Sequence, residues 1–205
     1  MTANHTDIEI EAAADQLRAE LSSRIGEFGA KIPLPDLVAF LAQRDRLSVS
    51  EAPLGRDVVG MINFAEVGGS ITLDAATSTS PIATFTLAHE IGHWLLHRDD
   101  HRELVTLRRD LSAARNPTEW EANRFAVHLL MPGKLVRTEF IRRYGSISRA
   151  FDDLSVSARE RWSSRREYAR FMASRGQSSS LSAIDDEFGV SSTAMAIRLE
   201  ELSLV

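Results

Sequence analysis

Residues 85–97 read FTLAHEIGHWLLH, and the pentapeptide HEIGH within them places His89 and His93 four residues apart. On a helix this spacing brings both imidazoles to one face, one turn from each other. In the HExxH pattern the two histidines bind zinc, and the glutamate, here Glu90, acts as a general base. About one chain of this composition in a hundred would contain such a pentapeptide by chance, so the surrounding residues must decide its meaning.

The helix predicted over this stretch carries one polar stripe on an otherwise apolar surface. At about 100° per residue, His89, His93 and His97 lie within about 80° of one another, and Glu90 follows at about 100°. Most of the remaining circumference is apolar: Phe85, Leu87, Ala88, Ile91, Trp94, Leu95 and Leu96. Burying the four polar groups without partners would cost on the order of several kcal/mol, which a bound cation would offset. The alternative is that the histidines form hydrogen bonds to buried carbonyl groups.

Cysteine is absent from the 205 residues, whereas histidine occurs six times. The chain therefore has no disulfide, iron–sulfur cluster, cysteine nucleophile or cysteine-built zinc site. Any metal must be held by histidine, carboxylate and water. An open catalytic zinc site with two histidines needs a third protein ligand, which here must be His, Glu or Asp.

A second helix is predicted to begin at Asn116 and Pro117, and it offers two carboxylates. Glu119 lies on the apolar, inward face, whereas Glu121 lies about 200° away, on the face predicted to meet solvent. Glu119 is therefore the predicted third ligand, although its position three residues after Asn116 also suits a residue that only caps the helix. Asn123, one turn after Glu119, is predicted to orient a histidine ligand.

The sequence resembles the ImmA/IrrE family of bacterial metallopeptidases in two blocks, FTLAHEIGHWLLH at 85–97 and EWEANRFAVHLLMP at 119–132. Members of this family are zincins of the HExxH plus ExxxD/N type. The resemblance covers roughly residues 31–132 and 181–205. It implies that Zn²⁺ is bound by His89, His93 and Glu119, that Glu90 is the base and that Asn123 supports a ligand. It also implies a protein substrate, a helix-turn-helix repressor encoded nearby, whose cleavage derepresses a mobile-element, toxin–antitoxin or stress operon.

Two further residues are candidates for contact with the substrate or the transition state. His97 shares the polar stripe of the zinc motif, but it follows His93 too closely, and without the expected glycine, to be the third ligand of a metzincin. Tyr144 is a second candidate because its hydroxyl could donate a hydrogen bond to an oxyanion.

The predicted fold class is α+β: a mainly helical, zincin-like metallopeptidase domain with a small antiparallel sheet and a short C-terminal helix-turn-helix-like unit. Three β-prone pieces precede the zinc motif, at Leu47–Ala52, Asp57–Phe64 and Ser70–Leu73. Residues 99–115 are predicted to be loop-like or loosely helical. Helices are predicted over 8–28, after Pro35, from Pro81, from Pro117 to Met131, and over 134–144 and 156–174.

Four segments are predicted along the chain. Residues 1–30 form an N-terminal helix, residues 31–145 the metallopeptidase core, residues 146–179 an arginine-rich helical insertion or linker, and residues 180–205 a helix-turn-helix-like docking element. Residues 134–175 carry eleven basic and five acidic residues, whereas residues 1–36 carry three basic and seven acidic residues. The interleaved charges predict solvated helix faces, with recognition of an acidic partner or a phosphate backbone by the basic stretch as the alternative.

Charge and hydropathy also bear on partners and location. The C-terminal segment has Arg198 alone against five acidic residues, which argues against direct DNA binding and favours a packing or protein-docking role. The polar start MTANHTDIEIEA and the lack of a long apolar run predict a cytoplasmic protein without membrane contact. A competing functional class is a non-proteolytic regulatory protein that sequesters a repressor or toxin.

Overall fold

A computed structural model describes residues 5–55, 57–77, 80–98, 103–107, 116–145, 151–175 and 182–205, with only the backbone described at 103–107. The chain forms two compact units, Met1–Leu130 and Met131–Val205. The zinc motif lies in the first unit. The division into four functional segments stays a prediction.

The first unit contains four helices and four strands within its described residues. In chain order they are α1 (Asp7–Ile25), α2 (Leu34–Asp45), β1 (Leu47–Ala52), β2 (Val58–Phe64), β3 (Gly69–Asp74), α3 (Pro81–Leu96), β4 (Glu103–Leu107) and α4 (Pro117–Leu130). The predicted α+β, mainly helical class is confirmed.

The sheet is mixed, so the prediction of an antiparallel sheet was wrong for one of its strands. Its order is β1-β3-β2-β4, with β2 antiparallel to both of its neighbours and β1 parallel to β3. Strand β1 lies beside β3 rather than β2, and it runs in the same direction as β3 because β2 reverses the chain between them.

Strand β4 is a second correction, since residues 103–107 were expected to be loop-like or loosely helical. The segment pairs antiparallel with β2, from Val58 opposite Leu107 to Asn63 opposite Glu103. The rest of the predicted 99–115 loop lies outside the described residues. A five-residue strand flanked by charged sequence is stabilised by its pairing partner rather than by its own periodicity.

Helix α3 lies between the sheet and α4, and α4 in turn packs against α1 as well as α3. The approach of α3 to α4 is close at Gly92. A Cβ atom there would lie 3.1 Å from Ala122 Cα and 3.1 Å from Phe125 Cβ. The helix that carries the zinc motif is therefore buried on both sides, and the three histidines of its polar stripe contact α4.

The regular structure in the described part of the second unit is all helical. Its helices are α5 (Gly133–Tyr144), α6 (Val156–Arg159), α7 (Arg165–Ser174), α8 (Ile184–Phe188) and α9 (Ser192–Glu201), with a 3₁₀ turn at Phe151–Asp153. The single helix predicted over 156–174 is interrupted between α6 and α7. The predicted helix-turn-helix-like pair is α8 and α9, joined at Gly189, whose φ of 67° is left-handed.

None of the helices in the described part of the chain combines the length and apolar composition that crossing a membrane requires.

Candidate metal centre

Three buried side chains converge at the interface of α3 and α4. The Nε2 atoms of His89 and His93 lie 3.0 Å apart. Glu119 places Oε2 3.2 Å from His89 Nε2 and Oε1 3.3 Å from His93 Nε2. Three ligand atoms of a tetrahedral zinc ion with bonds of about 2.0–2.1 Å would lie about 3.3 Å from one another. The donor set and its spacing therefore fit zinc.

The second ring nitrogen of each histidine already has a hydrogen-bond partner. His89 Nδ1 lies 3.1 Å from Asn123 Oδ1, and His93 Nδ1 lies 3.1 Å from His97 Nδ1. Such partners fix the orientation of an imidazole and, when a metal is bound, its tautomer, with the proton on Nδ1 and the Nε2 lone pair on the metal. Asn123 thus lies next to His89, one of the two histidines that it was predicted to orient.

Burial and charge set the protonation of the three donors. Burial lowers the pKa of His93 to about 4, and the charge of Glu119 only partly opposes this. Burial also lowers the pKa of His89, but Glu119 and Glu90 outweigh it and the net shift is upward. Burial raises the pKa of Glu119, yet its hydrogen bonds to both histidines hold that pKa far below its usual range. Near pH 7 the cluster thus offers a carboxylate and a neutral His93.

The side chain of Glu119 does not cap α4, which was the alternative role for a residue three positions after Asn116. Its carboxylate faces the two histidines, whereas Asn116 Oδ1 accepts the hydrogen bond from the Thr118 backbone N–H at 3.1 Å. The start of α4 is therefore capped by Asn116 itself.

Glu90 is completely buried beside the three donors, on the side of α3 that faces the sheet. Its carboxylate fits against β2 only because residue 60 is glycine. A Cβ atom at Gly60 would lie 2.6 Å from Glu90 Oε1 and 2.5 Å from Thr86 Cγ2. Gly60 is a residue of the site that the sequence analysis missed, and a glycine inside a strand pattern is the signal that could have found it.

Glu121 contradicts the sequence prediction, which placed it in solvent. Only 3 % of its surface is exposed, and its Oε2 lies 3.0 Å from His97 Nε2. The helical wheel assumed one buried face, but α4 packs against α3 on one side and α1 on the other. Glu121, His97 and His5 form a second cluster of metal-binding side chains. Neither Glu121 nor His5 was among the predicted site residues.

The two candidates for substrate contact are both buried. His97 packs behind His93 and hydrogen-bonds Glu121, so its ring is turned towards α4. Tyr144 belongs to the second unit, where its hydroxyl donates a 2.6 Å hydrogen bond to the Met172 carbonyl. Burial raises the pKa of Tyr144. Both side chains thus have structural hydrogen bonds, and contact with a substrate stays a prediction.

Comparison with known proteins agrees with this geometry. The family model described as the IrrE N-terminal-like domain, of peptidase family M78, matches residues 47–200, about three quarters of the chain. The matched range runs from β1 to α9 and contains Glu90 and the three donors. A search of curated proteins finds no match. With a family match of this extent, the chain belongs to the M78 metallopeptidases with an IrrE N-terminal-like domain.

Proposed function

We propose that the protein is a zinc-dependent endopeptidase that cleaves a peptide bond in a partner protein. The observation that carries this proposal is the convergence of His89, His93 and Glu119 within 3.0–3.3 Å of one another, with Glu90 buried beside them. A structural zinc site would be closed by a fourth protein ligand, whereas three protein donors leave a position open for catalysis.

The ligands are prepared by their surroundings before any ion arrives. His93 is neutral near pH 7 because burial disfavours its charged form, so its Nε2 lone pair is available. Asn123 accepts a hydrogen bond from His89 Nδ1 and directs His89 Nε2 towards Glu119. Zinc, when bound, lowers the pKa of a water molecule towards about 7 and polarises the scissile carbonyl.

Glu90 is the proposed general base. It is adjacent in sequence to His89 and lies on the same helix, so its position relative to the ligands is fixed by α3. Its carboxylate accepts the proton of the attacking water and then transfers that proton to the leaving amine. The tight fit against Gly60 limits the carboxylate to a narrow range of positions.

The proposed substrate is a helix-turn-helix transcriptional repressor encoded near this gene in a bacterial cytoplasm, whose cleavage derepresses its operon. This part rests on the resemblance of the two motif blocks to the ImmA/IrrE family. We propose that α8 and α9 dock protein rather than DNA. Arg198, the one basic residue of that segment, is 4 % exposed and donates a 3.1 Å hydrogen bond to the Met131 carbonyl. Phosphate contacts need exposed cations.

The purified zinc-loaded protein should be mixed with the helix-turn-helix proteins encoded beside its gene, with and without a chelator. We expect cleavage of one of them, abolished by the chelator and restored by zinc. Chelator-insensitive cleavage would contradict the metallopeptidase mechanism. Stable binding of a repressor without cleavage would favour the sequestering function instead.

A further inference from the structure

A chain of hydrogen bonds connects His93 to a buried carboxylate. His93 Nδ1 lies 3.1 Å from His97 Nδ1, and His97 Nε2 lies 3.0 Å from Glu121 Oε2. All three residues are at most 3 % exposed. Burial of an ionised carboxylate carries a large desolvation cost, so hydrogen bonds of this kind are needed to hold Glu121 in place.

When His93 binds a metal, only one set of proton positions satisfies every hydrogen bond between His93, His97 and Glu121. Binding metal through Nε2 requires the His93 proton on Nδ1, so this N–H donates to His97. His97 must then accept at Nδ1 and carry its own proton on Nε2, which donates to Glu121. The carboxylate at the end of the chain therefore fixes the tautomer of both imidazoles.

We infer that His97 and Glu121 are positioning residues of the metal centre, and that His5 extends their network to the N-terminal segment. The inference rests on the proposed zinc site. Its consequence is that the two histidine ligands are supported differently. The neutral amide of Asn123 forms a hydrogen bond with His89. The ionised carboxylate of Glu121 is instead connected to His93 through hydrogen bonds with His97.

His5 binds both oxygens of Glu121 from just before α1. Its backbone N–H donates to Oε1 at 3.0 Å, and its Nδ1 donates to Oε2 at 2.7 Å. Residue 5 lies outside the matched range 47–200. The support of the metal centre therefore includes a segment that the family domain does not contain.

The same side chains could be read as a second metal site, because His5, His97 and Glu121 have the donor types of the first. That reading conflicts with the shared hydrogen bond. A metal on His97 Nε2 would put the His97 proton on Nδ1, and His93 could accept it only by moving its own proton to Nε2. His93 would then be lost as a zinc ligand, so the network favours hydrogen-bonded support over a second ion.

Zinc affinity, measured by chelator competition on the full-length protein, tests the inference. Glu121→Gln keeps the shape but removes the charge, and we expect zinc to bind about 10- to 100-fold more weakly. In His97→Gln the new side chain can reach Glu121 but has no acceptor at the position of His97 Nδ1. In His97→Asn the shorter side chain keeps an acceptor at that position. His97→Asn should therefore lose less affinity than His97→Gln. His5→Ala should weaken zinc binding about two- to fivefold.

His128→Gln is the matched control. His128 lies on α4 and is as buried as Glu121, but its Nε2 pairs with Asp7, outside the network. This variant should change stability and leave zinc affinity at the wild-type value. Equal losses of affinity in His128→Gln and Glu121→Gln would show that general destabilisation is the cause, and the inference would be overturned.

Nitrogen-15 spectra of the histidines in the zinc-loaded wild-type protein give a readout that does not depend on any variant. We expect His93 with its proton on Nδ1 and His97 with its proton on Nε2. A proton on His97 Nδ1, or two zinc ions per chain, would overturn the inference but leave the proposed function intact. Failure of the wild-type protein to bind zinc would overturn the proposed function as well.

Discussion

Helix α4 places charged side chains on two faces, and the arrangement of these side chains differs between the faces. Towards α3, the Glu119 carboxylate meets two imidazole nitrogens, one from His89 and one from His93. Towards α1, Arg124 and His128 both bind the Asp7 carboxylate. Opposite charges neutralise each other on the second face. On the first face two imidazoles and a carboxylate converge on one place, an arrangement that can hold a metal ion. Convergence of donors, rather than burial of charge, therefore distinguishes the candidate site.

The largest expected difference between the faces is in zinc binding. Glu119→Gln should lower zinc affinity by more than about 100-fold, because it removes a donor that touches the ion rather than a supporting residue. A matched substitution on the other face, His128→Gln, should leave affinity unchanged. Equilibrium dialysis with zinc measures both. Tight zinc binding by Glu119→Gln would show that the third ligand lies elsewhere.

Gly60→Ala tests the space that β2 leaves for Glu90. The new Cβ would lie 2.6 Å from Glu90 Oε1, so the carboxylate must move. We expect a loss of about 1–3 kcal/mol in the free energy of unfolding and a larger loss of peptidase activity than of zinc affinity. Gly29→Ala is the control, because a Cβ atom there meets nothing within 4 Å. Wild-type activity in Gly60→Ala would contradict the proposed positioning of Glu90.

The stability that the α1 face of α4 contributes should depend more on pH than on bound metal. Hydrogen bonds from Arg124 hold the pKa of Asp7 at about 2, below its ordinary value of 3.8, although partial burial opposes the shift. Stabilisation by Asp7 is therefore full above about pH 4 and is lost as pH falls to about 2.

The corresponding variant is Asp7→Asn, with unfolding followed in urea at several pH values. Because the Asp7 side chain is about half exposed, we expect it to cost at most about 1 kcal/mol at pH 7. The difference from the wild type should shrink between pH 4 and pH 2. A difference that is constant over this range would show that the ion pair contributes no net stability.

The sequence was sufficient to predict those features of the site that depend on the geometry of a single helix. The spacing of His89 and His93 and the inward position of Glu119 follow from 3.6 residues per turn, and the structure brings these residues together. Asn123 follows from the same periodicity. The fold class was equally accessible, because the capping signals at Asn116 and the β-prone composition of β1–β3 are local.

The remaining features depend on contacts between elements, which the residue pattern of a single element does not reveal. Glu121 is buried because it pairs with His97 at the end of α3 and with His5, which precedes α1 and is more than a hundred residues away in sequence. Strand β4 forms because the free edge of β2 accepts it, and β1 is parallel because β3 rather than β2 is its neighbour. A wheel or an alternation pattern describes one element, whereas each of these outcomes is set by the element beside it.

Glu90→Gln tests the central claim most directly, because it separates metal binding from chemistry at one residue. The amide fits the same pocket against Gly60 but cannot accept the proton of the attacking water. Zinc content and cleavage of the neighbouring helix-turn-helix protein should be measured on the same preparation. We predict wild-type zinc content and a loss of cleavage of at least about 100-fold. Undiminished cleavage by Glu90→Gln would contradict the assignment of the general base and the peptidase mechanism built on it.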